Sequence, residues 1–207
     1  MLEVKSLECK KSNQSLFHPL SFQVAPSEIV QIVGENGSGK TTLLRALVGL
    51  SDIEEGSVTW SGHSIQTEEF RGNLLYIGHL VGVKKELTAI ENLRFYQQLT
   101  GNRYDDESLF NALEIVGLVG REDIPVGSLS FGQQRRVALA RLWLSDQPIW
   151  VLDEPFTGID KRGVKALEQR FIEHANAGGL IIFTAHIDVL HELFSVKKIE
   201  LQDMGMF

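Results

Sequence analysis

The feature that most constrains this chain is a glycine-rich segment between an apolar run and a helix-like run. It has the pattern G-x-x-x-x-G-K-[ST], preceded by the apolar residues 28–33 and followed by residues 41–48. In that setting glycines let successive N–H groups converge on one anion at the positive end of a helix. The sequence therefore predicts a phosphate-binding loop. Its predicted binding residues are Gly34, Glu35, Asn36, Gly37, Ser38, Gly39, Lys40, Thr41 and Thr42.

Two side chains of this loop have distinct expected roles. In such loops the lysine reaches the β- and γ-phosphates of a nucleotide, and the hydroxyl that follows it holds Mg²⁺. We therefore expect Lys40 to bind phosphate and Thr41 to be a metal ligand, with ATP and Mg²⁺ as the cofactors. The alternative is a plain glycine-rich turn before a helix, and the flanking strand and helix patterns favour the phosphate loop.

Two carboxylates directly follow another apolar run. The run Ile149–Leu152 reads as a buried parallel strand, and Asp153 and Glu154 come next. Ligands of α/β sheets lie at the carboxyl ends of strands. We expect Asp153 to face the metal held by Thr41, and Glu154 to orient or deprotonate a water. Alternatively, Asp-Glu-Pro simply begins a turn.

A second possible anion site lies at residues 129–133. Ser130 and Gln133 fit the capping box S-x-x-Q, and a capped helix start is a sufficient explanation. The same geometry, with Gly132 baring the backbone, also suits an anion. Two such sites in one chain could serve one nucleotide only if two chains met head to tail. His186 follows the predicted strand 180–184, so it is either structural or placed beside a γ-phosphate.

Composition bounds the class of protein. The 207 residues suit one domain, and 43% hydrophobic and 23% charged residues are ordinary for a globular protein. A net charge of -7 argues against general capture of DNA, so no nucleic acid is expected. The N-terminus has no signal layout and no run reaches about 18 apolar residues, so we expect a peripheral protein if it works at a membrane.

The order of predicted elements favours an α/β fold with a P-loop NTPase core. Strands that alternate with helices imply a mostly parallel sheet, and the early strands imply a small antiparallel β layer. We predict one domain over residues 1–207, with a helical subdomain at about 80–145 and a loop at 10–15. Strands are predicted at 2–7, 20–24, 28–33, 56–60, 74–77, 148–152, 180–183 and 197–201, and helices at 89–99, 105–116, 131–145 and 160–176.

Together these motifs resemble the ATP-binding cassette ATPases over essentially the whole chain. Residues 34–41 match the family's phosphate loop, and residues 129–133 match its LSGGQ signature with Phe131 in place of a glycine. Residues 149–154 match the Walker B strand and its catalytic glutamate. Residues 157–160 fall where the family has its D-loop, and His186 where it has its switch histidine.

The resemblance implies how the site works. Two cassettes of the family sandwich two ATP molecules, so Ser130, Gly132 and Gln133 would contact the ATP held by a second copy of the chain. Glu154 would activate the water and His186 would stabilise the transferring phosphoryl group. His79 replaces the glutamine that usually contacts Mg²⁺ in the family, and Phe17 is the nearest candidate to stack on adenine.

Within the family, residues 78–79, 122–125, 132–144 and 152–157 resemble the ATP-binding subunits of haem exporters in bacterial cytochrome c maturation. This implies a peripheral subunit on the cytoplasmic face of the inner membrane, docked on integral membrane subunits. Apolar residues near 81–87 are candidates for that contact. ATP hydrolysis would drive haem export and the release of a haem-loaded periplasmic chaperone. No direct haem ligand is expected, because the six histidines show no paired spacing.

Other functions are weighed against this one. An ATPase of another transporter would share every motif, because cargo is chosen by membrane subunits. A soluble ATPase that acts on DNA or ribosomes would carry long coiled-coil insertions or two cassettes in one chain. A small-molecule kinase would need an acceptor pocket and a lid, and would not need residues 129–133.

Overall fold

Eleven strands and six α-helices make up the part of the chain that the computed structural model describes, residues 1–11, 14–80, 82–186, 189–190 and 194–201. The strands are β1 (Leu2–Glu8), β2 (Lys10–Lys11), β3 (Gln14–Ser15), β4 (Leu20–Val24), β5 (Ile29–Val33), β6 (Glu55–Trp60), β7 (His63–Ser64), β8 (Leu74–Ile77), β9 (Ile149–Leu152), β10 (Leu180–Thr184) and β11 (Val196–Glu200). The helices are α1 (Lys40–Leu47), α2 (Glu68–Gly72), α3 (Ala89–Thr100), α4 (Asp106–Ile115), α5 (Phe131–Ala140) and α6 (Lys161–Asn176), with 3₁₀ turns at Val126–Ser128 and Arg141–Leu144.

A parallel sheet in the order β11-β5-β10-β9-β8 forms the centre of the fold. Its inner strands are almost continuously apolar and buried, as expected for a sheet covered on both faces. The register pairs Phe183 with Leu152, and Leu152 with Ile77. The carboxyl ends of β8, β9 and β10 therefore lie side by side, and the residues that follow them are brought together.

The two faces of this sheet pack against different layers. On one face lie α1 and an antiparallel sheet in the order β4-β1-β6-β7, in a cluster that includes Val30, Val151 and Leu44. On the other face, Trp150 and Phe183 pack against α5 and α6. Successive residues of a strand point to opposite faces, so one short run such as β9 serves both cores. The α/β fold class with a small antiparallel layer is confirmed.

A third hydrophobic cluster joins α3, α4 and α5. It includes Leu93, Leu113 and Val137, all buried. The cluster lies within the range 80–145 for which the sequence predicts a helical subdomain, and the boundaries of that unit and of the single domain remain predictions. Among the described residues, no helix is both long enough and apolar enough to cross a bilayer.

Several predicted elements differ from the structure in detail. The predicted loop at 10–15 contains the antiparallel strand pair β2 and β3. The predicted helix at 131–145 is α-helical only to Ala140 and then tightens into the 3₁₀ turn Arg141–Leu144. The short helix α2 has no predicted counterpart, although Thr67 caps it by accepting a hydrogen bond from the Phe70 N–H at 3.2 Å. One-turn elements carry too little periodicity to be read from sequence.

Candidate functional site

The predicted phosphate loop links β5 to α1. Gly37 and Gly39 have φ of 89° and 94°, a left-handed conformation that a side chain would strain. A Cβ on Gly39 would also lie 3.0 Å from the Phe17 ring, so both the backbone conformation and the close approach of this ring favour glycine at this position. The buried Lys40 ammonium donates to the carbonyl oxygens of Gly34 at 2.7 Å and Glu35 at 2.8 Å. The loop thus carries a positive charge at the N-terminus of a helix, which suits an anion.

Asp153 lies directly beneath this loop. Its Oδ2 accepts a hydrogen bond from Thr41 Oγ1 at 2.9 Å, and its Oδ1 accepts one from Thr184 Oγ1 at 2.8 Å. The side chain is 2% exposed, so the two hydroxyls hold it in one orientation. A carboxylate and a hydroxyl in contact fit Mg²⁺, which takes few protein ligands and completes its shell with phosphate oxygens and water.

Glu154 has a different environment from its neighbour. Its φ of 51° is left-handed, which costs a non-glycine residue about 1 kcal/mol or more. Its N–H donates to Thr184 Oγ1 at 2.8 Å, which helps to hold this backbone. Its Oε1 lies 2.7 Å from His186 Nε2, and its Oε2 accepts a hydrogen bond from Thr157 Oγ1 at 3.1 Å. The backbone turn thus aims the two adjacent carboxylates at different partners.

A cavity of about 230 Å³ joins the loop to Glu154. Gly34 and Glu35 contribute carbonyls to Lys40, and Ser38 is a buried residue of the loop whose hydroxyl has no hydrogen-bond partner among the described residues. The cavity holds phosphate-loop donors and a possible general base in one space. Its lining residues are Leu16, Asn36, Gly37, Gly39, Lys40, Thr41, Thr42 and Glu154.

The second predicted anion site is separate from this cavity. Ser130 caps α5: its Oγ accepts from the Gln133 N–H at 3.3 Å, and its own N–H donates to Gln133 Oε1 at 2.9 Å. Gly132 approaches the D-loop so closely that a Cβ would lie 3.0 Å from the Gly158 carbonyl oxygen. Neither these residues nor His79, which is exposed after β8, is among the described residues lining the cavity.

Phe17 is not available to stack on adenine, which corrects the sequence-based expectation. Its ring is fully buried beneath Gly39. The sequence pattern of residues 10–17 gives no indication of this, because the loop that covers the ring is remote in sequence. Phe17 is therefore no longer a candidate to stack on adenine. Leu16 is the apolar side chain that lines the cavity.

Two further residues hold the site and were not predicted. Thr184 is hydrogen-bonded to both Asp153 and Glu154. The sequence feature that could have indicated this role is a polar residue at the end of a buried strand that pairs with β9. Arg135, buried on α5, donates from Nη2 to the main-chain carbonyls of both Asp153 and Glu154. In sequence Arg135 is one basic residue in a helix of mixed polarity, and nothing there marks it as buried.

The parallel sheet, the phosphate loop and the paired carboxylates define a P-loop ATPase of the ATP-binding cassette class. A family model described as ABC transporter matches residues 17–157, and the chain belongs to that family of ATP-binding proteins. Over 205 residues it is 53% identical to the cytochrome c biogenesis ATP-binding export protein CcmA of Vibrio parahaemolyticus, covering 98% of this chain and 100% of that relative. The protein of the same name from Pasteurella multocida is 52% identical, over 98% of this chain and 95% of the relative.

Solved structures give the same fold. An ATP-binding subunit of an ABC transporter, 26% identical, superposes with a TM-score of 0.84 over 97% of this chain and 85% of that one. A dimeric ATP-binding cassette in a post-hydrolysis state with ADP and Pi, 20% identical, superposes with a TM-score of 0.81 over the whole of both chains. The resemblance to ATP-binding cassette ATPases and the predicted ATP-binding function are confirmed.

Proposed function

We propose that this chain is the ATP-hydrolysing subunit of a haem-export complex that serves c-type cytochrome biogenesis. The relatives with about half of their residues identical are named cytochrome c biogenesis ATP-binding export proteins, and they align over nearly the full chain. The subunit binds peripherally to integral membrane subunits on the cytoplasmic face of the bacterial inner membrane. The main observation that supports ATP hydrolysis is that Glu154, which lies beside His186, lines the same cavity as the phosphate loop.

ATP binding uses the loop 34–42. The N–H groups at the start of α1 and the Lys40 ammonium bind the phosphates, with Lys40 exchanging a carbonyl partner for phosphate oxygens. Thr41 and Asp153 would hold Mg²⁺, which would supply positive charge to the site of phosphoryl transfer. Thr184 keeps Asp153 oriented.

Hydrolysis uses the residues at the other end of the cavity. The Glu154 carboxylate orients the attacking water and accepts its proton, and His186 stabilises the phosphoryl group being transferred. Ser130, Gly132 and Gln133 come from a second copy of the chain, whose α5 N-terminus adds donors to the γ-phosphate. His79, which follows β8, would take the place of the family's glutamine.

The contact with membrane subunits is proposed on the helical side of the molecule. Leu80 is 87% exposed and Leu99 is 68% exposed, and a small groove lined by Val83, Phe95 and Tyr96 lies between α3 and α5. Large apolar side chains exposed near one groove favour a protein partner. Val81, the first residue of the predicted contact segment, lies outside the described residues.

The decisive experiment compares Glu154→Gln with Glu107→Gln, an amide exchange on the exposed start of α4. Glu154→Gln keeps the shape of the side chain and removes its basicity, so we expect kcat to fall at least 100-fold while ATP binding persists and ATP-bound dimers accumulate. Phosphate release and size-exclusion chromatography with ATP measure both, and Lys40→Ala should abolish tight ATP binding. Wild-type turnover by Glu154→Gln would remove Glu154 from its role.

Haem export is tested separately in membranes. The chain is reconstituted with its integral membrane subunits and a haem-loaded periplasmic chaperone, and release of the chaperone is followed with and without ATP. We expect release to require ATP and to fail with Glu154→Gln. Chaperone release at equal rates without ATP, in a complex that hydrolyses ATP normally, would contradict the haem assignment and leave the ATPase assignment intact.

A further inference from the structure

Arg135 is a buried cation that the ATPase mechanism leaves without a role. It lies in the second turn of α5 and is 1% exposed. Burial is the main cause that lowers its pKa, and the nearby charges of Asp153 and Glu154 oppose that shift. A buried guanidinium is costly unless its donors are satisfied. Its Nε has no hydrogen-bond partner among the described residues, so the group is anchored through Nη2.

The partners of Nη2 are main-chain oxygens, not carboxylates. They are the carbonyls of Asp153 and Glu154, the two residues that follow β9. The peptide between Asp153 and Glu154 sets the direction of the Glu154 side chain. Glu154 has a left-handed φ of 51°, a conformation that persists only when neighbouring groups hold it. Arg135 on one side and the Thr184 hydroxyl on the other supply those contacts. Arg135 therefore fixes where the Glu154 carboxylate points.

The same helix begins at the residues assigned to the second ATP. Ser130 caps α5, Gly132 lies in its first turn, and Arg135 follows one turn later. Gly132 also contacts the D-loop at Gly158. A helix turn is a stiff connection, because each residue is hydrogen-bonded to the next turn. A displacement of the α5 N-terminus would therefore be carried through Arg135 to the peptide that orients Glu154.

We propose that Arg135 is a positioning residue that couples the two ATP sites of the dimer. Contact of the α5 N-terminus with the ATP of the second copy moves Arg135, which brings Glu154 of its own site into the orientation for water attack. Each site then reaches full activity only when the other is loaded. This inference rests on the proposed dimeric ATPase, and it assigns the coupling to a contact outside the cavity itself.

The test compares Arg135→Lys and Arg135→Met with Arg170→Lys in the full chain. Arg170 is the matched control, because it is a largely buried guanidinium that donates to a main-chain carbonyl, that of Leu142 at 2.9 Å, away from Asp153 and Glu154. Lysine can satisfy one carbonyl of the pair and methionine none, so the two variants should differ in degree. Thermal melting first confirms that each variant folds.

We expect kcat to fall at least tenfold in Arg135→Met and by a smaller factor in Arg135→Lys. The Hill coefficient for ATP should fall from near two towards one, while affinity for a fluorescent ATP analogue changes less than twofold. Arg170→Lys should keep the wild-type Hill coefficient. A purely structural role would lower the melting temperature without changing the Hill coefficient.

Two results would overturn the inference. One is a folded Arg135→Met variant with wild-type kcat and cooperativity, and the other is loss of ATP affinity in parallel with kcat. Failure of the proposed dimeric ATPase would give different results. The wild-type chain would then not hydrolyse ATP, or it would hydrolyse ATP with a Hill coefficient of one while the Glu154→Gln variant formed no ATP-bound dimer.

Discussion

At the scale of single residues, the site depends on hydroxyl groups that orient one buried carboxylate. Thr41 and Thr184 each donate to a different oxygen of Asp153, and the Thr184 hydroxyl in turn accepts from the Glu154 N–H. Thr184 is fully buried, so its donor and acceptor are both used within the protein. One threonine side chain therefore fixes both members of the carboxylate pair.

Thr184→Val tests this arrangement. Valine has nearly the same shape, but it leaves Asp153 Oδ1 and the Glu154 N–H without their partner, which costs about 1–3 kcal/mol for each buried group. We expect lower stability and a kcat reduced about 10- to 100-fold, measured by urea denaturation and phosphate release. Thr100→Val, which removes a local hydrogen bond to Tyr96 within α3, should change kcat little. Equal kcat values for the two variants would contradict the prediction.

At the scale of elements, an aromatic stack joins α6 to β9. His174 stacks on Trp150 with ring centroids 3.7 Å apart and an angle of 11°, and the Arg170 guanidinium lies 5.2 Å from the Trp150 ring. Burial, followed by the charge of Arg170, lowers the pKa of His174 to about 4. The imidazole is therefore neutral near pH 7, and the helix is held to the sheet without an additional buried charge.

This stack predicts a pH dependence of stability. In the unfolded chain a histidine has a pKa of about 6.5. Below that pH the unfolded state therefore binds a proton at His174 that the folded state does not bind. Stability should be full above about pH 6.5 and should fall as the pH drops towards 4, by about 2 kcal/mol at pH 5. Urea denaturation at pH 7.5 and 5.0 measures the loss. His174→Gln should reduce that loss, whereas His63→Gln on the exposed β7 should not. Equal losses in all three proteins would refute the assignment.

The sequence predicted the elements whose signals are local. The phosphate loop, the carboxylates after β9 and the capping box at Ser130 depend on residues within a few positions of one another. The contacts of Arg135 and Thr184, and the burial of Phe17, join segments remote in sequence, so no local pattern carries them. The central sheet was predicted because buried parallel strands have a distinctive apolar pattern.

At the scale of the whole molecule, the exposed apolar side chains are unevenly placed. The exposed Leu99 lines the groove between α3 and α5, and the exposed Leu80 comes just before its lining residues Gly82 and Val83 in the sequence. The cavity at the phosphate loop lies at the carboxyl ends of the central strands. In the proposed complex, the helical side contacts the membrane subunits while the cavity side contacts the second copy.

Leu80→Glu is predicted to weaken docking on the membrane subunits. It places a charge where the proposed interface is apolar, so co-purification with the integral membrane subunits should fall at least tenfold while the isolated chain keeps its ATPase activity. Leu50→Glu is the control, since Leu50 is also exposed (53%) but follows α1 on another part of the surface. Undiminished co-purification of Leu80→Glu would place the docking surface elsewhere.

Both faces of α5 are committed to packing. Val137 and Ala140 belong to the cluster of the helical layer, whereas Ala138 and Leu139 belong to the cluster against the central sheet. Its first residues cap the helix, and Arg135 is occupied at the strand end. Saturation mutagenesis should therefore find this segment among the least tolerant of the chain, and resistance to an inhibitor bound there would arise slowly.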